Sequence, residues 1–339
     1  MEAVVVQKPT NDQRRVLITG GAGFIGSHLA EFLLRQGHTV TAIDNLVTGR
    51  AENLAHLGGD ENFELIVDTV LNEELVNRLI ARHDLVIHLA AAVGVRWIID
   101  NPLLSIHTNI RATEIVLDAA ARVGKKVVVA STSEVYGKNS KPLLSEDDDC
   151  VIGSTRVTRW LYANTKATDE FLAFAYHRDK GLPVVIVRFF NTVGPRQTGR
   201  YGMVVPSFVQ QALANQPLTV FGDGTQTRCF TDVRDTVRAV YELAVNPAAD
   251  GHVFNVGNAR EISIRSLAHL IIRMTDSRSQ VKLVPYEKAY PEGFEDMRRR
   301  VPSTAKLREF LGWEPAIPLE ENLIRIIEST RAGAFASME

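Results

Sequence analysis

Tyr162 and Lys166 form a pair whose residue types and spacing suit acid–base chemistry. Residues four apart share one face of a helix, so the Lys166 ammonium is expected beside the Tyr162 phenol. A neighbouring positive charge lowers the pKa of a phenol, which would prepare Tyr162 as a base near neutral pH. An ordinary solvated helix face is the alternative interpretation of the same spacing.

A second polar group, Ser131-Thr132-Ser133-Glu134, ends an apolar run and is expected at the end of a strand. In open α/β sheets, ligands bind beyond the carboxyl ends of the strands. A hydroxyl of Thr132 or Ser133 could hydrogen-bond a substrate hydroxyl while Tyr162 removes its proton. The Glu134 carboxyl group would then act as an acid or a base on a neighbouring carbon. A helix cap, in which Ser or Thr is followed by Glu, is the alternative.

A glycine-rich loop, Thr19-Gly20-Gly21-Ala22-Gly23-Phe24-Ile25-Gly26, lies between the first predicted strand and the first predicted helix. Such a loop needs positive φ angles and brings backbone close to a pyrophosphate, whose charge rests on the helix N-terminus. Asp44 ends the second predicted strand, 24 residues after Gly20 (44 − 20). A carboxylate there accepts hydrogen bonds from ribose hydroxyls and repels a 2′-phosphate, which favours NAD over NADP. The alternative is a structural turn followed by an ordinary exposed Asp.

Short apolar runs rich in β-branched residues alternate with helical patterns in the first half of the chain. Continuous apolar strands separated by helices indicate a parallel sheet covered on both faces. The predicted fold class is therefore α/β, a doubly wound Rossmann sheet with a smaller α/β substrate-binding lobe. The predicted strands are Val16–Thr19, Thr39–Asp44, Phe63–Asp68, Leu85–Ala90, Lys126–Thr132 and Val184–Phe190.

The sequence pattern changes after about residue 190, where residues 191–202 are rich in Gly, Pro, Arg and Thr and predict an irregular loop. We assign residues 14–190 to an NAD-binding domain, to which residues 230–258 are expected to return. Residues 191–229 and 259–328 are assigned to a lobe that closes over the carboxyl edge of the sheet. The later elements predicted are a helix at Val205–Ala214, a strand near Leu218–Phe221 and a helix at Arg234–Val245.

Composition and charge exclude several classes of protein. The 339 residues are 45% hydrophobic and 23% charged, values typical of globular rather than disordered or fibrous chains. Thirty-eight Lys and Arg against 40 Asp and Glu give a net charge of −2, which predicts no nucleic-acid or anionic-membrane partner. The two cysteines, Cys150 and Cys229, lack CxxC spacing, which argues against a disulfide framework and fits a reducing cytoplasm.

The sequence also lacks the motifs of metal-dependent hydrolases, secreted chains and membrane spans. Neither HExxH nor GxSxG occurs, and the nine histidines show no ligand spacing, so no metal is expected. No apolar run approaches the roughly 20 residues that span a bilayer. The segment Met1–Arg15 has no apolar core followed by a cleavage site, so it does not match a secretory signal.

Together these motifs resemble the extended short-chain dehydrogenases/reductases, and more narrowly the members that act on nucleotide sugars. The resemblance runs from Val16 to about Ile327 and includes the glycine loop, Asp44, His88-Leu89-Ala90-Ala91, the stretch STSEVYG at residues 131–137, and the Tyr162/Lys166 pair. It implies an enzyme that holds NAD tightly and transiently oxidises the sugar at carbon 4. The resulting ketone is then epimerised, decarboxylated or dehydrated.

The resemblance also implies roles for individual residues. Tyr162 would be the catalytic base, Lys166 would hold the nicotinamide ribose, and Thr132 would assist at the sugar hydroxyl. Asn191 and Arg228 match positions that grip the nucleotide diphosphate of a UDP-sugar, and Val205 is assigned to the same substrate site. The cofactor-binding residues would be Gly20, Gly23, Phe24, Ile25, Gly26, Asp44, Asn45, Asp68, Ala90, Asn109 and Lys166.

Within this family, three features bear on the second chemical step. Glu134 follows Ser133, as in UDP-glucuronate decarboxylases, whereas simple 4-epimerases usually carry Ser or Ala at that position. Arg159-Trp160-Leu161-Tyr162 and residues 290–302 resemble the decarboxylase domain of the bacterial enzyme that modifies lipid A with aminoarabinose. Arg300 then matches an arginine linked to decarboxylation, and a guanidinium suits bidentate binding of a carboxylate. A solvated basic loop formed by Arg298, Arg299 and Arg300 is the alternative.

We therefore expect a UDP-glucuronate decarboxylase, with Thr132, Ser133, Glu134, Tyr162, Lys166 and Arg300 as its catalytic residues. A UDP-sugar 4-epimerase acting on UDP-glucuronate or UDP-glucose is the alternative. A non-catalytic NAD-sensing regulator also stays open, because a fold does not determine a function. Relatives usually dimerise through two helices per subunit, for which residues 101–122 and 164–180 are the candidates.

Overall fold

The chain folds around a sheet of parallel strands. The computed structural model describes residues 13–199, 202–289 and 297–336. Its strands are β1 Arg15–Thr19, β2 Thr39–Asp44, β3 Phe63–Val67, β4 Leu85–His88, β5 Lys126–Thr132, β6 Val184–Phe189, β7 Thr192–Val193, β8 Leu218–Phe221, β9 Thr227–Cys229, β10 Thr231–Asp232, β11 His252–Val256, β12 Glu261–Ser263 and β13 Val281–Val284.

Seven of these strands form the central sheet in the order β11-β6-β5-β4-β1-β2-β3. All its pairings are parallel, and each of the six predicted strands corresponds to one of β1–β6.

The described helices are α1 Phe24–Arg35, α2 Glu73–Arg82, α3 Val95–Asp100, α4 Pro102–Ile106, α5 Ala112–Val123, α6 Leu161–Lys180, α7 Val204–Leu213, α8 Val233–Val245, α9 Ile264–Thr275, α10 Tyr286–Ala289, α11 Ala305–Leu311 and α12 Leu319–Ala336.

Helices cover both faces of the sheet because each strand presents apolar side chains to both sides. On β1, Val16 and Ile18 pack with α1 and α8 on one face. Leu17, between them, packs with α2, α5 and α6 on the other face. This arrangement confirms the predicted doubly wound sheet.

A second group of described elements, which we call the smaller lobe, has its own apolar core. Strands β8 and β13 pair in parallel, and α7, α9 and α12 pack around them through residues such as Phe208, Leu267 and Leu323. Strands β9 and β12 pair antiparallel beside it. Among the described helices, none combines the length and apolar character needed to cross a membrane.

The carboxyl ends of the central strands meet at one edge of the sheet. Gly20 follows β1, Asp44 ends β2, Thr132 ends β5 and Asn191 comes shortly after β6. The candidate residues spread through the sequence are therefore brought together by parallel strand order. Of the segment 290–302 singled out above, residues 290–296 lie outside the described residues, whereas Arg300 is described.

Candidate active site

A cavity of about 800 Å³ runs along this edge, between the central sheet and the smaller lobe. One end is lined by the glycine loop and the ends of β2 and β3. The middle is lined by Thr132, Ser133, Glu134, Tyr162 and Lys166, and the far end by residues of the lobe. The cavity thus brings most of the predicted site residues to one continuous surface.

Gly20 and Gly26 of the glycine loop are too tightly packed to carry side chains. Gly20 has a φ of +72°, and a Cβ on it would lie 2.8 Å from the backbone nitrogen of Ala90. A Cβ on Gly26 would lie 2.3 Å from the carbonyl oxygen of Gly20. The loop therefore presents bare backbone and the N-terminus of α1 to the cavity, an arrangement that suits a pyrophosphate.

Asp44 lies where a ribose-binding carboxylate is expected. Its Oδ2 accepts a hydrogen bond from the Ala22 amide at 3.0 Å, and its Oδ1 accepts one from the Leu46 amide at 2.8 Å. Burial raises the pKa of Asp44, and these backbone hydrogen bonds oppose the shift. The carboxyl group joins the end of β2 to the glycine loop and also lines the cavity.

Most other predicted cofactor residues line the same end of the cavity, namely Phe24, Ile25, Asn45, Asp68 and Ala90. Asn109 occupies a different position. It is buried, its Oδ1 accepts a hydrogen bond from the Ala92 amide at 2.7 Å, and its Nδ2 donates to Thr165 Oγ1 at 3.1 Å. It is not among the described residues that line the cavity, and its hydrogen bond with the Ala92 amide holds the backbone beside the lining residue Ala91.

Tyr162 is the second residue of α6, and its phenol lies close to the end of β5. Burial raises the pKa of this phenol well above its ordinary value, and the negative charges of Glu134 and Asp169 add to the shift. A hydrogen bond with Thr132 and the charge of Arg300 oppose it. The predicted lowering of the Tyr162 pKa is therefore wrong in this structure, because spacing alone does not include the effect of burial.

Lys166 forms a buried ion pair that the sequence analysis missed. Its Nζ donates to Asp169 Oδ2 at 2.7 Å, and the two side chains are 3% and 0% exposed. Asp169 also lies beside Thr113, whose Oγ1 donates to the Asn109 carbonyl at 2.9 Å and lies 3.1 Å from Nε2 of His88. Burial lowers the pKa of His88 to about 3, so this residue takes part as a neutral ring.

This polar network continues to the glycine loop. The Nδ1 atom of His88 lies 2.7 Å from the hydroxyl of Thr19, which also accepts a hydrogen bond from the Ala90 amide at 3.2 Å. The ammonium of Lys166 is thus connected through buried polar groups to the residue that precedes Gly20. The sequence contained one signal of this ion pair, because Asp169 follows Lys166 by three residues and therefore shares its helix face.

Glu134 lies between two arginines. Its Oε1 pairs with Nη1 of Arg300 and its Oε2 with Nη1 of Arg159. Burial alone would raise the pKa of Glu134, but the two positive charges outweigh it and hold that pKa far below its usual range. Glu134 is therefore a carboxylate near neutral pH, which corrects the prediction that it could act as an acid.

Arg300 also contacts Asn191, a second predicted site residue. Its Nη2 donates to Asn191 Oδ1 at 2.8 Å, and Asn191 Nδ2 donates to the Cys229 carbonyl at 2.9 Å. Asn191 adopts a φ of +36°, an unusual backbone conformation for a residue other than glycine. Such a conformation persists only where the surrounding contacts hold it in place. Arg228 and Val205 are buried and line the same end of the cavity.

Helix α6, which carries Tyr162 and Lys166, is anchored to the end of β5 by a further buried group. Glu170 Oε2 pairs with Arg188 Nη2 at 2.7 Å, and its Oε1 accepts hydrogen bonds from Arg188 Nε at 2.9 Å and from Ser131 Oγ. Ser131 precedes Thr132, so this contact ties the strand end that carries Thr132 to the helix that carries Tyr162. The free cysteines lie apart, Cys150 exposed and Cys229 buried.

Fold and site together define an extended short-chain dehydrogenase/reductase: a glycine cradle follows β1, an acid ends β2, and a Tyr and a Lys share a helix beside the end of β5. The sequence profile described as GDP-mannose 4,6 dehydratase matches residues 17–326. The chain belongs to this family.

Two curated proteins and one solved structure are similar to this chain over most of its length. The chain is 44% identical to a UDP-N-acetyl-alpha-D-glucosaminuronate decarboxylase of Bacillus cytotoxicus over 93% of this chain and 97% of that protein. It is 39% identical to UDP-glucuronic acid decarboxylase 1 of Danio rerio over 94% of this chain and 72% of that protein. A UDP-glucuronic acid 4-epimerase of Bacillus cereus, solved with UDP-glucuronic acid and NAD, superposes with a TM-score of 0.85 at 30% identity, covering 94% and 99% of the two chains.

Proposed function

We propose that this chain is an NAD-dependent decarboxylase of a UDP-linked uronic acid. The observation that carries the proposal is the position of Arg300, a buried guanidinium at the cavity wall beside Tyr162 and Glu134. Its Nη1 pairs with Glu134, its Nη2 donates to Asn191, and its buried Nε has no hydrogen-bond partner among the described residues, so the donors of this guanidinium are not all used. A planar cation in such a site is suited to a carboxylate. The decarboxylase relatives support the same assignment.

The cofactor site fits a dinucleotide because Gly20 and Gly26, where a Cβ would clash with neighbouring backbone, keep the loop tight at the N-terminus of α1, and both glycines line the cavity. Gly20, Gly23 and Gly26 would hold the pyrophosphate, and Asp44 the adenosine ribose. Asp44 favours NAD over its 2′-phosphorylated form. When bound, NAD would accept a hydride from carbon 4 of the sugar.

The residues of the chain would do the remaining work. Tyr162 and Thr132 would face the sugar hydroxyl at carbon 4. Tyr162 can take the proton of that hydroxyl in its phenolate form, which the hydrogen bond with Thr132 and the charge of Arg300 favour. Once carbon 4 is a ketone, the carboxylate on carbon 5 is β to it, so carbon dioxide leaves as an enolate forms. Arg300 would orient that carboxylate, and the hydroxyls of Thr132 and Ser133, which line the cavity, would stabilise the enolate oxygen.

The proposal is tested by incubating the NAD-loaded protein separately with UDP-glucuronate, UDP-N-acetylglucosaminuronate and UDP-glucose. Mass spectrometry and NMR should show loss of carbon dioxide from one or both uronates and no change in UDP-glucose. A product of unchanged mass with inverted carbon 4 would instead make the protein a 4-epimerase, as the Bacillus cereus structure suggests. No turnover of any of the three would refute both assignments.

A matched pair of variants tests the role of Arg300. Arg300→Met should abolish most decarboxylation, because the substrate carboxylate loses its guanidinium. Arg298→Met is the control, because Arg298 is exposed and lies in the same segment without lining the cavity. Equal rates for the two variants would remove the basis of the proposal.

We further propose that the chain forms a homodimer. Leu103 and Leu104 on α4 are 73% and 49% exposed, and Phe171 on α6 is 77% exposed. The two helices pack against each other, so these side chains form an apolar surface within the predicted dimer helices. Light scattering should give twice the chain mass, and Phe171→Asp should shift it toward the monomer.

The division into two lobes and a cytoplasmic location stay predictions. The pairing of β11 with β6 and the packing of α8 on the sheet support the return of residues 230–258 to the NAD-binding domain. The two free cysteines are compatible with a reducing compartment.

A further inference from the structure

Two arginines from different parts of the chain bind one carboxylate, and they are held very differently. Arg159 lies in the helical turn Thr158–Trp160, which leads directly into α6. Arg300 lies in a segment without regular structure after β13 and α10. Both are buried, and they bind opposite oxygens of Glu134.

The guanidinium of Arg159 is fixed by its surroundings. Its central carbon lies 5.7 Å from the centroid of the Trp160 ring, and that ring is buried. Gly153 packs so closely on the other side that a Cβ there would lie 2.1 Å from Trp160 Nε1. Arg159 thus extends from a regular helical turn beside a buried ring, and its Nη1 pairs with Oε2 of Glu134.

Arg300 is held through its backbone neighbours, and its side chain bonds Glu134 through Nη1 and Asn191 through Nη2. Its neighbour Val301 accepts a hydrogen bond from the Leu144 amide at 2.9 Å, and Ser303 donates one to the Leu144 carbonyl at 2.7 Å. The side chain then reaches the cavity wall, where Nε is without a partner among the described residues. A turn of this side chain toward the carboxylate of a substrate would exchange its contacts with Glu134 and Asn191 and would not require the backbone to move.

A carboxylate-bearing substrate creates a conflict that a second arginine resolves. If Arg300 were the one cation, Glu134 and the sugar carboxylate would share it, and two carboxylates at one site repel each other and raise the pKa of one. With Arg159 bound to Glu134, each carboxylate has a guanidinium of its own. The ion pair of Arg159 with Glu134 thus allows Arg300 to be used for recognition.

We infer that Arg159 is a specificity-determining residue, which retains Glu134 when Arg300 turns to the carboxylate of the sugar. This inference rests on the proposed function, because it requires a uronate as substrate. It predicts that the loss of Arg159 weakens binding of a uronate selectively. A nucleotide sugar without the carboxylate should bind as before.

The test compares UDP-glucuronate with UDP-glucose, which differ by that carboxylate, by calorimetry on the NAD-loaded protein. All variants carry Tyr162→Phe so that substrate is not consumed. Arg159→Met should weaken UDP-glucuronate binding about tenfold or more and leave UDP-glucose binding within about twofold, because one guanidinium then serves two carboxylates. Arg159→Lys, which restores the charge, should recover part of the loss. Arg156→Met, at an exposed position in the same loop, is the control.

The possible outcomes separate this inference from the proposed function. If Arg300→Met abolishes the preference for UDP-glucuronate and Arg159→Met does not, the inference is wrong and the function stands. Equal losses for both ligands in Arg159→Met and Arg159→Lys would show a structural role and also overturn it. A parent protein that binds UDP-glucuronate no better than UDP-glucose would refute the function and the inference together.

Discussion

Asp169→Asn should strongly destabilise the protein although it removes little volume. The Asp169 carboxylate is fully buried and bonds the ammonium of Lys166 at 2.7 Å, which is itself 3% exposed. An amide of the same shape leaves a buried positive charge without its counter-ion. Removing one partner of a buried ion pair costs about 3–5 kcal/mol, a large part of the roughly 5–15 kcal/mol that stabilises a typical domain.

Urea denaturation followed by circular dichroism measures this loss. Asp179→Asn is the matched control, because Asp179 lies on the same helix with its side chain 56% exposed, and it should change the free energy of unfolding by less than about 0.5 kcal/mol. Replacing both partners, Lys166→Met with Asp169→Leu, should recover much of the loss because no unpaired charge is left.

The same substitution has a second, independent effect. The charge of Asp169 raises the pKa of Tyr162, so Asp169→Asn should shift the phenol titration to lower pH, measured by ultraviolet difference spectroscopy against Tyr162→Phe. A loss of stability below about 1 kcal/mol, together with an unshifted phenol titration, would refute the view that Asp169 is the counter-ion of Lys166.

Three further predictions address the loop, the thiols and acid stability. Gly26→Ala should abolish NAD binding in a fluorescence titration, since its Cβ would lie 2.3 Å from a loop carbonyl oxygen. A thiol reagent should modify Cys150 in the native protein and Cys229 after unfolding, because Cys229 is buried and its pKa is raised to about 12; two reactive thiols in the native state would contradict this. Burial lowers the pKa of His28 to about 4 and of His88 to about 3. Both are neutral when folded, so stability present above about pH 6.5 should be lost as the pH falls toward 4, by up to ~3 kcal/mol each, and His28→Gln should flatten that dependence in urea titrations.

The strands of the central sheet could be predicted because a parallel strand buried on both faces is an unbroken apolar run. The run at residues 126–132 became β5 with the same ends. The glycine loop was predictable for a related reason, since a tight turn before a helix restricts residue type. Local sequence contains both signals.

Other features depend on contacts that local sequence does not contain. Glu134 and Arg300 are 166 residues apart and meet because the segment that carries Arg300 is hydrogen-bonded to Leu144. The pKa of Tyr162 was predicted from its spacing to Lys166, but burial and two acidic neighbours determine it. Helix α9, Ile264–Thr275, was not predicted either, because its apolar face is defined by the lobe core into which it packs.

The edge strand β11 makes the sheet dependent on chain synthesised late. Val185 of β6 pairs with His252, 67 residues further on (252 − 185). Until β11 has been synthesised, the apolar strand β6 has a row of unpaired backbone N–H and C=O groups along one edge. Another chain could pair with these groups and cause aggregation. At ribosomal speed this interval lasts about 3–13 s. The first 190 residues are therefore expected to aggregate when made alone, and the nascent protein to need a chaperone until its last central strand leaves the ribosome.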